Sequence, residues 1–489
     1  MRRGSCWLAV ATALAVPFWV FSREMLFHFY VRGAFVPDSG QLAYLLWHSD
    51  LGLTEPLALG GGGSYFAIHV VPLFWLISAV SWAVPATMAG FFALFIGFCH
   101  AMLAGSIVWL LIGAYRTPPW IAALLGIGFA CSGLAIAIAR FPHFETLIPA
   151  FFLLFVTARR LGHPRLAILF FALGLATRED AGLHYAAILL LIAAWNRWNG
   201  AEWRFAVAAL VYVAAVMVVQ RLLFPGTSAF VRVYLGDPPL AHLTAASMTM
   251  HVLNVFFNRL YLLLPFFGVC VWAILARNRA ILLGYVASLP WLCVQLLAVS
   301  EAASMLSSYY AFPFLIAMAW PLYADARPVA FAGLLVLSFA PSIVPHNPGN
   351  LFLPEAVLQA PSAASQAAME QAVAAIVAAR PALGRVLADT SVAALAPNGF
   401  SRAEVLYGDR NDRQEPPDTV AFMTEGYDAS RLRAIDGLTW RYTMPGTPIH
   451  LASRRSLDDV PALGGLIMRA RTPRYPRTPA APSRSSPAG

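Results

Sequence analysis

Ionisable side chains occur in four short groups between the long apolar runs of this sequence. A charged side chain beside an apolar run costs several kcal/mol to bury, so such residues are functional candidates by default. The groups are Asp38, the segment from Arg140 through His143 to Glu145, Arg178-Glu179-Asp180 with His184 close behind, and Tyr309-Tyr310 with Glu301 before them. Each group adjoins a different apolar run, so folding must bring them together before they can share a site.

The residue types in these groups suit acid–base chemistry beside a phosphate. A partly desolvated carboxylate such as Asp38 can act as general base on a hydroxyl. Arg140 and Arg178 can bind a phosphate through paired hydrogen bonds. His143 and Glu145, two residues apart, can form an acid–base pair or bind a divalent metal such as Mg or Mn. Supporting roles are assigned to His69, Glu179, Asp180, Tyr309 and Tyr310.

Structural explanations stand beside these hypotheses. Asp38 precedes Ser39-Gly40, where an Asp can serve only to cap a short helix. Arg178-Glu179-Asp180 can equally form a salt-bridge cluster at a helix end. His69 is better explained by local hydrogen bonding than by catalysis. Residue spacing alone leaves these alternatives open.

The composition indicates that membrane helices position these residues. Of the 489 residues, 59% are hydrophobic and 12% charged, whereas soluble domains carry about 25% charged residues. Apolar runs near the ~20 residues that cross a bilayer recur between Trp7 and Val344. The net charge of +9 comes from Arg residues in short loops and in the C-terminal tail. This distribution indicates membrane topology rather than nucleic-acid binding.

The Arg residues in short connections predict how the chain is threaded through the membrane. Positively charged loops face the cytoplasm, which places the N-terminus and the loops at 159–165, 197–204, 277–279 and 327 on that side. Alternation then puts the four ionisable groups and the C-terminal region outside. The segment from Tyr65 to Val84 is expected to lie in the interface or to re-enter the membrane, which leaves about eleven crossings.

Hydrophobicity drops after Pro345. The stretch from Val357 to Leu383 predicts an Ala-rich helix, while Arg385-Val386-Leu387 and residues 419–423 are typical of short strands. We therefore predict an all-α polytopic membrane domain over 1–345, with a long first outer loop over 25–87. A small extracytoplasmic α/β domain over 346–470 follows, and the Pro-, Ser- and Arg-rich tail 471–489 is predicted to be disordered.

A set of short motifs is spread over nearly the whole chain: Asp38-Ser39-Gly40-Gln41, Leu46-Trp47, His69-Val70-Val71-Pro72, His143-Phe144-Glu145, Arg178-Glu179-Asp180-Ala181-Gly182-Leu183, Ser308-Tyr309-Tyr310-Ala311-Phe312-Pro313, Ala388-Asp389-Thr390-Ser391, Phe400-Ser401-Arg402 and Val405-Leu406-Tyr407. In this order they resemble a large family of uncharacterised bacterial membrane proteins that groups with the GT-C glycosyltransferase superfamily. Two motifs depart from the family pattern. Val70-Val71 stands where Phe-Ser is usual, and Tyr309 stands where His is usual.

The resemblance implies a GT-C-like fold and activity. Enzymes of this kind use an acidic residue in the first outer loop, further acidic residues in a second loop, and a sugar carried on a lipid phosphate. Carried over by position, Asp38 is the base, and His143 with Glu145 is the second-loop element. We therefore expect an inner-membrane bacterial glycosyltransferase that moves a sugar from polyprenyl phosphate to an extracytoplasmic acceptor. The alternative is a membrane transporter or an envelope assembly protein without catalysis, because one fold hosts many functions.

Overall fold

The computed structural model describes residues 3–32, 37–47, 64–84, 86–139, 143–225, 231–236, 238–304, 306, 308–343, 359–396, 399–400, 404–406, 416–423, 435 and 437–469. Over these residues the chain is mostly helical, with several apolar helices followed by a small sheet. The helical character and the C-terminal sheet of the fold prediction are therefore confirmed. The tail 471–489 lies outside the described residues.

The helices that precede the sheet are joined by connections of between one and 25 residues. They are α1 (Arg3–Phe27), α2 (Pro37–Trp47), α3 (Leu73–Ser81), α4 (Met88–Gly113), α5 (Pro119–Ala130), α6 (Gly133–Ala139), α7 (Leu147–Arg160), α8 (Pro164–Leu175), α9 (Ala181–Trp195), α10 (Glu202–Leu223), α11 (Ala245–Asn258), α12 (Leu260–Ala276), α13 (Leu283–Leu296), α14 (Glu301–Ser304), α15 (Pro313–Ala324) and α16 (Pro328–Phe339). Proline begins α5, α8, α15 and α16, where its missing N–H costs no helical hydrogen bond.

Only part of the described helices reach the length of a full membrane crossing. Four ranges are long and apolar enough: Gly4–Val31, Met88–Gly113, Glu202–Leu223 and Arg279–Leu296. Two bent pairs raise the number to six when each is one crossing, α5 with α6 at 46° and α11 with α12 at 77°. Because α8, α9 and α16 have 12 to 15 residues, fewer than the ~20 of a crossing, the expected eleven crossings stay a prediction.

Polar contacts join one set of helix ends away from the ionisable groups. Arg159 at the end of α7 pairs with Glu202 at the start of α10 at 3.2 Å. The neighbouring Arg160 donates to the Tyr323 carbonyl of α15 at 2.8 Å. Loops that the Arg count assigns to the same side therefore meet at one end of the helices. Which side of a membrane this end faces stays a prediction.

The segment from Tyr65 to Val84 contains one short helix. Helix α3 has nine residues, a length of about 14 Å at 1.5 Å per residue, which is half of a bilayer core. The backbone N–H of Leu73 donates to the Ala176 carbonyl at 2.9 Å and ties α3 to the end of α8. Trp75, Leu76 and Val80 are exposed on α3. An apolar exposed face on a helix this short suits the interfacial placement that the sequence predicts.

The C-terminal unit combines α17 (Ala363–Leu383), α18 (Thr390–Ala394) and a sheet. Its strands are β1 (Val386–Asp389), β2 (Val405–Leu406), β3 (Thr419–Met423), β4 (Trp440–Thr443), β5 (Ile449–Ser453) and β6 (Met468–Arg469), in the order β2-β1-β3-β5-β4-β6. β1 lies parallel to β2 and β3, and the remaining neighbours are antiparallel. The predicted Ala-rich helix and both predicted strands are confirmed as α17, β1 and β3, while the domain boundary at 345 stays a prediction.

Helix α4 forms the centre of the helical part that precedes the C-terminal unit, called the membrane part below because of its apolar helices. Its apolar window is 78% buried inside the protein, against 17% for α10 at the periphery. Helix α1 packs along α4, and Gly97 permits this close approach. A Cβ atom at Gly97 would lie 2.4 Å from the Phe18 carbonyl oxygen, so a side chain here would push the two helices apart.

Gly97→Ala should therefore destabilise the protein. Overpacking of this kind costs about 1–3 kcal/mol, and we expect the melting temperature of the purified chain in detergent to fall by several degrees. Gly333→Ala is the matched control, because a Cβ there meets no atom within 4 Å and Ala favours a helix by up to ~1 kcal/mol. An unchanged melting temperature for Gly97→Ala would contradict the close contact of α1 with α4.

Candidate functional site

Four connections between helices meet at one end and carry most of the predicted site residues. Their positions are His69 after the 3-10 turn Tyr65–Ala67, Glu145 in the 3-10 turn Phe144–Thr146 before α7, Arg178 to Asp180 in the turn before α9, and Tyr309 with Tyr310 in the 3-10 turn Ser308–Ala311 before α15. Each of these segments directly precedes a helix, and loops positioned by a rigid scaffold commonly carry functional residues. The structure thus assembles residues that are far apart in sequence.

Arg178 is the centre of this cluster. Its Nε donates to Asp180 Oδ1 at 2.7 Å, and a second nitrogen donates to the other Asp180 oxygen. Nη1 donates to Glu145 Oε1 at 2.6 Å. The side chains of Arg178 and Glu145 are 4% and 0% exposed, so these ion pairs are shielded from water. One guanidinium thereby joins the start of α7 to the start of α9.

Glu145 links Arg178 to His143. One carboxylate oxygen accepts from Arg178, and the other is hydrogen-bonded to His143 Nδ1. The His143 ring stacks on Tyr309 with centroids 4.3 Å apart, and Tyr309 stacks on Tyr310 at 4.4 Å. These contacts fix the orientation of the imidazole. His143 and Glu145 are therefore bonded to each other, while their acid–base role stays a prediction.

Glu179 forms a second pair with His69. Glu179 Oε1 lies 2.7 Å from His69 Nδ1, and Oε2 accepts the backbone N–H of Val70 at 2.9 Å. The carboxylate is thus held by two bonds and orients the ring, and Nε2 is the ring nitrogen that does not face it. His69 is 27% exposed, in contrast to the buried His143. A carboxylate that orients a partly exposed imidazole is a common acid–base arrangement in enzymes.

Aromatic side chains enclose the Asp180 side of the cluster. His184 Nε2 lies 3.9 Å from Asp180 Oδ2. The His184 ring meets Trp291 and Phe312 edge-on, at centroid distances of 4.8 and 4.9 Å. Trp291 also donates its Nε1 hydrogen to the Tyr310 carbonyl at 2.8 Å. Sequence reasoning did not single out Trp291, because it is one of 14 Trp residues and lies within an apolar helix.

The described side chains of the cluster carry more acidic than basic charge. Three carboxylates, Glu145, Glu179 and Asp180, face one guanidinium, Arg178, which gives these four groups a net charge of −2. Partly buried charge of one sign requires compensation. A cationic group bound beside the carboxylates would supply it.

The predicted divalent metal would need ligands that His143 and Glu145 now give to each other. Among the residues that the structure describes, no group of three or more His, Cys, Asp or Glu side chains has the arrangement of a metal site. The facing atoms of His143 and Glu145 are hydrogen-bonded to each other. This conformation suits proton exchange between the two side chains, and metal binding stays a prediction.

Two predicted residues cannot be placed in the cluster. Asp38 is the second residue of α2, but its side chain lies outside the part of the chain that is described. Arg140 lies wholly outside the described residues. The predicted roles of both side chains therefore stay predictions.

The described fold defines a mostly helical protein with several helices able to span a membrane and a charged cluster where their connections meet. No protein-family model matches the chain. A comparison with curated proteins also gives no match. The resemblance to GT-C proteins therefore rests on the sequence motifs.

Arg178→Met should strongly destabilise the protein. Removing the guanidinium leaves Glu145 and Asp180 without their cationic partner, and breaking a buried pair in this way costs about 3–5 kcal/mol. Melting in detergent measures the loss. Arg327→Met is the control, because Arg327 pairs with Asp325 at 3.1 Å but is 55% exposed, and exposed pairs contribute ~0–1 kcal/mol.

The same experiment has a second arm. Adding Glu145→Gln to Arg178→Met should restore part of the lost stability, because it removes the uncompensated buried charge. Equal losses for Arg178→Met and Arg327→Met would show that the cluster is not a buried ion-pair network.

Proposed function

We propose that this protein is a GT-C-type glycosyltransferase of the bacterial inner membrane that transfers a sugar from polyprenyl phosphate to an extracytoplasmic acceptor. The observation that carries the proposal is the convergence of two carboxylate–histidine pairs and one arginine from three separate connections. Ionisable groups gathered at the ends of apolar helices are costly and mark functional sites. In the proposed topology about eleven segments cross the bilayer, the N-terminus is cytoplasmic, and the C-terminal α/β unit lies outside.

The proposed reaction is a direct displacement at the anomeric carbon. Asp38 takes the proton from the acceptor hydroxyl, whose oxygen forms the new bond to the sugar. The bond between the anomeric carbon and the phosphate oxygen breaks, and the lipid phosphate leaves with the electron pair. A single displacement inverts the configuration at this carbon. Cationic donors near the leaving phosphate stabilise its developing charge.

The His69–Glu179 pair extends this scheme. His69 is the more exposed of the two paired histidines, and its Nδ1 is held by Glu179 at 2.7 Å. Through Nε2 it can exchange a proton with the leaving phosphate or with the acceptor. We assign the buried His143–Glu145 pair to the electrostatic support of Arg178, because Glu145 is fully buried and bonded to both partners.

Arg178 has a different role in this proposal from the direct phosphate contact expected from sequence. Its donors already serve Asp180 and Glu145. Phosphate binding by Arg178 would require one of these buried ion pairs to open. We therefore propose that Arg178 chiefly positions the two carboxylates and that Arg140 is the stronger candidate for the phosphate.

The exposed face of α3 supports a donor that arrives through the lipid. Trp75 and Leu76 on this face are 41% and 56% exposed. The helix begins four residues after His69, so its apolar face follows the His69–Glu179 pair along the chain. Tryptophan favours the boundary between headgroups and acyl chains. A lipid-linked sugar lying along α3 would reach the site without a nucleotide-binding domain.

Asp38→Asn should abolish transfer. The amide cannot accept the acceptor proton at neutral pH, and the loss is measured with radiolabelled polyprenyl-phosphate sugars in proteoliposomes at equal insertion. Asp458→Asn is the control, because Asp458 is 49% exposed and pairs with Arg469 in the C-terminal unit. If the native chain transfers no sugar from any donor of a broad panel, the alternative hypothesis of a transporter or an envelope assembly protein is favoured. Full activity of Asp38→Asn would exclude Asp38 as the base.

His69→Gln should reduce kcat by about 100-fold or more, the usual contribution of a general acid or base. Glu179→Gln should cause a similar or smaller loss, and the double variant should lose little more than His69→Gln alone, because the two residues act as one unit. His163→Gln is the control, because His163 lies outside the cluster and stacks on Trp109, with the two ring centroids 6.2 Å apart. If His69→Gln has the same kcat as the native chain, His69 takes no part in the mechanism.

A further inference from the structure

The C-terminal unit packs on the helix that carries Asp38. Helix α18 contacts α2, and both helices contribute to one buried hydrophobic cluster. Leu42 and Leu46 of α2 belong to it together with Val392 and Ala393 of α18. The apolar side of α2 is thus covered by a segment more than 340 positions later in the chain. The position of α2 depends on where α18 is held.

Asp389 holds α18. It ends β1 and is fully buried. Its Oδ1 accepts the Val392 N–H at 2.8 Å and caps α18, while Oδ2 accepts the Met423 N–H at the end of β3, also at 2.8 Å. Both oxygens of one carboxylate therefore fix the short helix against the carboxyl ends of β1 and β3. A side chain with one acceptor oxygen can keep only one of these bonds.

A second contact with the C-terminal unit holds the chain just before α2. Tyr30 is 2% exposed and donates its hydroxyl hydrogen to Glu370 of α17 at 2.6 Å. The same hydroxyl lies 3.2 Å from Thr87 Oγ1, and Thr87 caps the start of α4 by accepting the Gly90 N–H at 3.0 Å. Tyr30 therefore joins the C-terminal unit to the central helix of the membrane part, within eight residues of Asp38.

We propose that the C-terminal unit is a positioning element of the active site, with Asp389 and Glu370 as positioning residues for Asp38. Asp389 orients α18, α18 covers the apolar side of α2, and Glu370 anchors the chain entering α2 through Tyr30. The catalytic part of this inference rests on the proposed function. The mechanical part, that the C-terminal unit orders α2, stands independently of any activity.

Hydrogen–deuterium exchange on the full chain in nanodiscs tests the mechanical part. We expect peptides covering 37–47 to exchange at least ten-fold faster in Asp389→Ala and by a smaller factor in Asp389→Asn, which retains a capping oxygen. Tyr30→Phe keeps the ring and removes only the hydroxyl, so it should loosen 37–47 while the strands stay protected. Asp458→Asn is the matched control and should leave 37–47 unchanged. Unchanged exchange of 37–47 in both Asp389→Ala and Tyr30→Phe would overturn the proposal.

Transfer kinetics test the catalytic part. Tyr30→Phe and Asp389→Asn should lower kcat about ten-fold with the KM for the lipid donor unchanged, because they disturb the base and not the donor contacts. A rise in KM without a fall in kcat would overturn the catalytic assignment. If the native chain transfers no sugar, the proposed function fails while the exchange result still decides the mechanical part.

Discussion

The buried ion pairs of Arg178 are the constraint on which the candidate site depends. A guanidinium excluded from water must be paired, and here it is paired with carboxylates from two different helix connections. Satisfying this one group fixes the start of α7 relative to the start of α9. The remaining contacts follow, since Glu145 then orients His143, and Glu179, adjacent to Arg178 in sequence, reaches His69. A single buried charge thus dictates the geometry of the whole cluster.

Helix packing supplies the frame for that geometry. The central α4 is enclosed by neighbouring helices, and close contacts such as that of Gly97 with α1 leave it little freedom to shift. Small residues serve this purpose in apolar surroundings, where dispersion and not water exclusion holds helices together. The C-terminal unit extends the frame beyond the apolar region through Tyr30 and α18. Both ends of the segment that contains Asp38 are therefore anchored to rigid parts of the fold.

The sequence predicts the helical class of fold and most members of the cluster, because ionisable residues beside apolar runs are costly to bury and are easily recognised. Glu145, Arg178 and Tyr309 were predicted in this way, and they meet in the structure. His69 was expected to form a local hydrogen bond, but it bonds Glu179, 110 positions away. Spacing indicates pairs within one connection, such as His143 with Glu145 or Arg178 with Asp180, but only the fold shows that Arg178 also bonds Glu145. Trp291 was not predicted, because the sequence of an apolar helix does not show whether an aromatic residue faces lipid or a charged cluster.

His143, Tyr309 and Tyr310 form a column of stacked rings. The Tyr309 ring lies nearly parallel to His143, at an interplanar angle of 18°. Such a contact needs a flat ring that offers a π face of suitable size, and a phenol ring meets that need without a titratable nitrogen. The orientation of the His143 imidazole therefore depends on the planarity of its neighbour, and any side chain without a flat ring at position 309 would leave the imidazole free to turn.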